Sequence, residues 1–413
     1  MKPIRILPLL LVTALAGAAL PPPAELPPDG QRPARRHEPR AQRMRPPQGP
    51  ARFGDPLPGL TRAQLEAFTK GLDEFTNVET VAGGLGPIFN NSSCVSCHSA
   101  PAVGGASRET VTRFGHASGG GFDPLAALGG SLRQAQAIDP DALEVVPPEA
   151  NVTALRQTTP VFGLGLIEAI PDDAIRHLAE RPQRDGIAGR AARVTDVVSG
   201  EERVGRFGWK AQQATLLAFS ADAYRNEMGV TNRFFPTENA PNGDMAKLAK
   251  WDQIADPEDQ VDESGRSDID VVADYMRLLG APPAARFSPA AQNGWGVFRQ
   301  VGCEACHTPV QMTGRSDIPA LNFKPVPLFS DLLLHDMGTL GDGIAQSDAG
   351  PRDMRTAPLW GLRASAPYLH DGRAPSVDAA IRAHDGEGAA ARDRYLRLRE
   401  MQRRQLLEFL NTI

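Results

Sequence analysis

Cys94-Val95-Ser96-Cys97-His98 and Cys303-Glu304-Ala305-Cys306-His307 are the two stretches whose reading decides this chain. Both are CxxCH, and together they use all four cysteines of the 413 residues. Cysteines three apart on a helical turn share one face. Their sulfurs can form thioethers to the two vinyl groups of one haem, and the next His then offers its imidazole to the iron. CxxCH therefore reads as c-type haem attachment, with His98 and His307 as proximal ligands of two covalently bound c-type haems. Three other readings compete. A thioredoxin-like CxxC belongs beside a βαβ pattern, which the sequence does not display. One zinc site from both pairs would not need a His directly after each. Disulfides can form in an oxidising compartment. The repeated His weighs for haem.

Composition bounds the rest. Hydrophobic residues make up 41% and charged residues 23%, ordinary globular usage. The net charge of −5, from 44 Lys+Arg against 49 Asp+Glu, gives no reason to expect nucleic-acid binding. Four cysteines are too few for a disulfide scaffold. Lys2 and Arg5 precede the apolar run Ile6 to Leu15, and small residues follow at Ala16-Gly17-Ala18-Ala19. That order predicts a secretory signal peptide over 1–20 and export, in a bacterium to the periplasm. The apolar run is too short for a comfortable membrane span, so no stable span is expected once it is removed. Residues 21–58 are dense in Pro, Arg and Gly and read as a disordered linker.

The chain repeats itself around the two motifs. Ser288 and Pro289 predict the start of a helix running through Trp295 and Phe298 to the second motif, and Thr61 to Phe75 reads as a helix ahead of the first. Thr159-Pro160-Val161-Phe162-Gly163 matches Ala357-Pro358-Leu359-Trp360-Gly361. Each half closes on an amphipathic helix, Ile269 to Leu279 and Met401 to Ile413. Gly280-Ala281-Pro282-Pro283 marks the boundary. The expectation is a mostly all-α fold with little sheet: an N-terminal cytochrome c-like haem domain with insertions over 59–281, a C-terminal one over 282–413, and long irregular loops.

Ala366-Pro367-Tyr368-Leu369-His370-Asp371-Gly372-Arg373 resembles the C-terminal haem domain of the bacterial di-haem cytochrome c peroxidases. A closer resemblance, over about 56–413, is to the di-haem oxidoreductase family, whose members are labelled peroxidases or thiol oxidoreductases. It rests on Phe89-Asn90-Asn91-Ser92-Ser93-Cys94, Phe162 to Pro171, Gly205-Arg206-Phe207-Gly208-Trp209-Lys210-Ala211, Ser330 to Gly338 and the Tyr368 stretch. In the peroxidases the distal ligand of the C-terminal haem lies fourteen residues beyond the motif His. Here 370 + 14 is His384, which implies a His307/His384 ligated iron where Met is usual. A bis-His iron has the lower potential.

In the same relatives a displaceable distal His follows the first CxxCH by about sixteen residues. His116, at 116 − 98 = 18, is the candidate here. Met228 and Met337 are rival haem ligands, with an ordinary core role the plainer reading. Glu168 falls in the acid-bearing region and is the candidate proton donor, its pKa raised by burial. Gln157 is a candidate for orienting peroxide. The resemblance places Trp209 as an aromatic stepping stone between the haems. Arg355 and Arg373 are candidate partners of haem propionates. The implied activity is reduction of hydrogen peroxide with electrons from a small soluble cytochrome or cupredoxin. A pure electron carrier, and oxidation of an organic or protein substrate through high-valent haem, are the alternatives. An inter-domain calcium ion is known in the peroxidases, but no calcium-loop motif is visible. Thiol exchange has no cysteine left once all four are thioethers.

Overall fold

Helix-start chemistry sets the frame of the computed structural model, which describes residues 51–182, 184–256 and 261–413. The signal peptide expected over 1–20 and most of the linker expected over 21–58 lie outside these. The described residues fall within one compact unit.

Thr61 and Gln64 form a reciprocal capping box that opens α1, Arg62–Phe75. Short helices follow: α2 at Cys94–Cys97, α3 at Leu164–Glu168, α4 at Asp172–Ala179, α5 at Leu216–Ala223 and α6 at Met245–Trp251. Ser267 and Asp270 cap α7, Asp268–Leu278. The Ser288 hydroxyl accepts the Ala291 amide to open α8, Pro289–Val301, with Pro289 in the first turn, where its missing N–H costs nothing. The C-terminal part adds α9 at Val377–Ala383, α10 at Ala389–Leu396 and α11 at Glu400–Leu410. No helix among the described residues is long and apolar enough to cross a membrane.

Two helix crossings organise the two halves: α1 packs on α7, and α8 on α11. At each crossing a glycine lets the backbones approach. A Cβ on Gly71 would lie 2.6 Å from the Val271 carbonyl, and one on Gly294 would overlap the Gln405 carbonyl. One apolar core contains Phe68, Phe75, Phe162, Tyr275 and Leu279, and extends past residue 282 to Leu321, Leu328 and Leu333. A second contains Phe298, Phe329, Phe409 and Leu410. The Phe298 and Phe409 rings are 5.4 Å apart. Gly163 and Gly361 occupy matching turns ahead of α3 and of the short helix Leu362–Ala364.

The mostly all-α expectation is wrong. The fold is 36% helix and 15% strand, with several sheets, and is mixed α/β. Its largest sheet is antiparallel: Thr110–Ser118 pairs with Gly121–Asp123, Leu132–Arg133 and Val152–Gln157. The cause of the error is physical. Several of the other strands are two to four residues long, too short to display a period of two. The nine-residue strand does not alternate cleanly, because its two fully buried residues, Phe114 and Gly115, are adjacent. The linker expectation also ends too late. Leu57 is buried and its amide donates to the Leu278 carbonyl at 2.8 Å, while the Phe53 ring lies 5.5 Å from Phe162.

The glycine crossings give a direct test. Gly294→Ala is expected to destabilise the protein by about 1–3 kcal/mol through overpacking. Gly296→Ala, on the same helix with nothing within 4 Å of its added Cβ, is expected to stabilise by about 0.5–1 kcal/mol. Chemical-denaturation midpoints of the two variants check the contrast.

Candidate functional site

The end of α8 delivers the second CxxCH. Its helix stops at Gly302, a short turn carries Cys303–Ala305, and the His307 amide donates to the Cys303 carbonyl at 2.9 Å. His307 Nδ1 lies 3.0 Å from the Phe329 carbonyl. His384 caps the end of α9, with Nδ1 2.8 Å from the Ala380 carbonyl. Each ring thus spends Nδ1 on a backbone carbonyl, which fixes the tautomer and leaves Nε2 for a metal. The ring centroids are 6.4 Å apart. At metal–imidazole distances of about 2 Å, one metal between two ring nitrogens puts the centroids about 6 Å apart, so the pair fits a single iron. Both histidines line a cavity of about 300 Å³ that Cys303, Cys306, Trp209 and Arg355 also border. Arg355 is buried and donates to the Gly208 and Thr356 carbonyls, at 2.8 and 3.1 Å. Burial pulls its guanidinium down to about 10, with Asp331 opposing. A buried cation whose hydrogen bonds go to carbonyls in a cavity wall suits a haem carboxylate.

The first CxxCH repeats the local geometry. α2 holds Cys94 and Cys97 on one turn, and the His98 amide donates to the Cys94 carbonyl at 3.0 Å. His98 Nδ1 is 3.1 Å from the Gly105 carbonyl, and burial lowers the imidazole to about 4. Asn91 Nδ2 donates to Cys97 Sγ at 3.2 Å, and Asn90 Nδ2 to Glu227 Oε2 at 2.8 Å. Glu227 belongs to a π-helical turn, Tyr224–Met228, a form that recurs at functional sites. Burial raises its carboxyl, with Arg113 opposing, and burial raises Asp222 as well. The Arg113 Nε is buried without a hydrogen-bond partner.

The four thiols are not bonded to one another. Burial pushes Cys94 and Cys303 up to about 12 and Cys97 to about 11. Such thiols carry almost no thiolate at neutral pH and are poor thiol-exchange groups. Among the described residues the sulfurs do not converge on one metal position either, which removes the shared zinc site.

One strand end touches both sites. The Gln157 amide donates to the His370 carbonyl at 2.6 Å, and Trp209 Nε1 donates to the Gln157 carbonyl at 2.8 Å. Gln157 and Thr158 border the second site's cavity, while the Thr158 side chain hydrogen-bonds Cys97 of the first. Trp209 meets His370 edge-on, with centroids 6.3 Å apart. Behind this strip lies a buried charge cluster. Asp342 takes Arg156 at 2.8 Å and Lys210 at 2.9 Å, and all three side chains are at most 5% exposed. Arg156 precedes Gln157, and Lys210 follows Trp209.

Residues 148–413 match the family described as "Di-haem oxidoreductase, putative peroxidase". The chain belongs to the di-haem oxidoreductase family. Among solved structures, hydrazine synthase from Kuenenia stuttgartiensis is similar at 14% identity, over 90% of this chain and 98% of that one, with a TM-score of 0.40. A MauG-like protein associated with microbial copper homeostasis is similar at 15% identity, over 61% of this chain and 88% of that one, with a TM-score of 0.31. No curated protein matches the chain.

In this di-haem oxidoreductase the other expected residues lie as follows. Glu168 accepts from Arg277 Nε at 2.6 Å and from the Leu216 amide at 2.7 Å, so its carboxylate serves an ion pair. His116 sits on the long strand with Nδ1 2.7 Å from the Glu149 carbonyl. Arg373 pairs with Asp371 in its own turn at 2.5 Å. Met228 is buried in the first core, and Met337 lines the cavity with His384. The tightest His/Cys/Asp/Glu group among the described residues is Cys306, Asp331 and His335, whose donors are not the all-oxygen set that calcium takes. Glu227, Arg113 and the Asp342 cluster are missing from the sequence reading. Lys210 was in view as part of a matched stretch, but nothing in the sequence marks its partner 132 residues on (342 − 210).

The Asp342 cluster carries a prediction. Burial alone would raise the Asp342 pKa, but Arg156 and Lys210 outweigh it and hold the carboxyl low. A lowered folded pKa means stability that is present above the unfolded value and lost as pH falls through the folded one. Asp342→Asn is therefore expected to cost about 3–5 kcal/mol at neutral pH, because it strands two buried cations. The gap to wild type should narrow below about pH 4. Urea denaturation across pH measures both.

Proposed function

We propose that this oxidoreductase reduces hydrogen peroxide in the periplasm, with electrons from a small soluble cytochrome or cupredoxin. The observation that carries the reading is the asymmetry of the two sites. His307 faces a second imidazole at the spacing one iron needs, whereas in the half that holds His98 desolvation pushes the Glu227 and Asp222 carboxyls toward their protonated form. Cys94 and Cys97, with His98, would hold one haem, and Cys303 and Cys306, with His307 and His384, the other. When bound, the haems supply one-electron redox chemistry and, in the N-terminal half, an iron face for peroxide.

The chain's own residues do the rest. Arg355 receives a haem carboxylate. Trp209, fixed by the Gln157 carbonyl, lies on the hydrogen-bonded strip between the sites and passes electrons. Reduction of H2O2 to two waters takes two electrons and two protons, so a proton donor must sit at the first site. Glu227 suits that role: burial favours its protonated form, Asn90 fixes one oxygen, and its charge is felt at Cys97. Glu168 is less suited, because Arg277 holds it as an acceptor.

Mass spectrometry of the mature protein is expected to find two added haems. The pre-reduced protein should consume peroxide with a reduced cytochrome as donor. Glu227→Gln should lower turnover by about 10²-fold or more at unchanged haem content. A donor works only while protonated, so wild-type turnover should fall as pH rises through the raised Glu227 pKa, and the variant should lose that limb. Full haem loading without peroxide consumption, and without binding of cyanide or CO, would instead support a pure electron carrier.

A further inference from the structure

Ser330 to Gly338 brings a charged cluster against the second attachment site that the peroxide chemistry does not use. His335 is 3% exposed. Its Nε2 lies 3.0 Å from Asp331 Oδ2, and its Nδ1 lies 2.6 Å from Glu387 Oε2 and 3.7 Å from Cys306 Sγ. Asp331 is 2% exposed, and its amide donates to the Cys306 carbonyl at 2.9 Å. With a carboxylate at each ring nitrogen, the imidazole makes both hydrogen bonds only as a double donor. Burial opposes that state, but the Asp331 and Glu387 bonds overcome it and raise the ring to about 12. One positive and two negative charges leave a net −1. Of the cations nearby, Arg190 takes Asp348 and Asp353 and Arg352 takes Asp336, while Arg355, which feels the Asp331 charge, is the residue assigned to a haem carboxylate.

We propose that Asp331 and Glu387, held in place by His335, set a low potential for the C-terminal haem by favouring its ferric over its ferrous form. This rests on the reading that Cys306 carries that haem. Reduction adds one electron to the iron, and a buried net negative charge beside the attachment sulfur opposes it with little solvent screening. His335 already holds its proton, so the step is a one-electron reduction with no proton taken up by the cluster. The Ser330–Gly338 stretch then acts through the metal's potential rather than through contact with peroxide.

The test is a spectroelectrochemical titration of the haem-loaded full chain. Asp331→Asn and Glu387→Gln should each move the midpoint of the C-terminal haem upward. His335→Gln, which removes the positive charge, should move it downward, and the N-terminal haem should stay in place in all three. A role in packing alone would loosen the site in every variant and could not produce shifts of opposite sign. Glu387 is the least buried of the three, so Glu387→Gln serves if Asp331→Asn does not fold. Absent or same-sign shifts in fully loaded protein overturn the tuning proposal alone. A protein without haem on Cys303 and Cys306 overturns the reading beneath it as well.

Discussion

Asp342 is the constraint on which the arrangement of the two sites depends. Its carboxylate binds Arg156 from the largest sheet and Lys210 from the loop ahead of α5, in surroundings that exclude water. Those two cations are the sequence neighbours of Gln157 and Trp209, the residues that join the two CxxCH lobes. Three buried charges are expensive to assemble and add little net stability. What they supply is position: the indole and the Gln157 carbonyl are anchored from behind, while their front faces line the cavity. A purely apolar clamp could pack as well, yet would remove the ammonium that donates to the Asp353 carbonyl at 2.6 Å.

Much of the helical frame was legible, because capping and apolar spacing are local signals. Thr61, Ser288 and the closing helices lie where their residues predict. The sheet was not legible, because its pairings are set by distant partners: Thr110 lies opposite Gln157, and Ile88 opposite Ala137. The same division holds in the site. The two CxxCH motifs are contiguous and announce themselves. His384 emerged by counting from His370, and the structure brings it within one iron's span of His307. Glu168, His116 and Arg373 drew attention by residue type and place in the sequence, yet their partners are Arg277, the Glu149 carbonyl and Asp371. Glu227 was passed over because its neighbours Asn90, Asn91 and Arg113 come together only through the fold.

The label of thiol oxidoreductase borne by relatives finds no support in the thiols. Burial raises all four, which leaves almost no thiolate at neutral pH to act in exchange. The redox capacity of a di-haem oxidoreductase lies instead in its haems.

Backbone bonds tie the start of each half to its finish: Leu57 to Leu278 and Gly280 to Asp55 in the first, at 2.8 and 2.9 Å, and Ala285 to Thr412 in the second, at 2.8 Å. Such contacts close very large loops, which makes them late events in folding. During synthesis the first half cannot finish alone, because its core also takes Leu321, Leu328 and Leu333 from beyond residue 282. The second likewise stays open, with Phe298 uncovered, until Phe409 and Leu410 arrive.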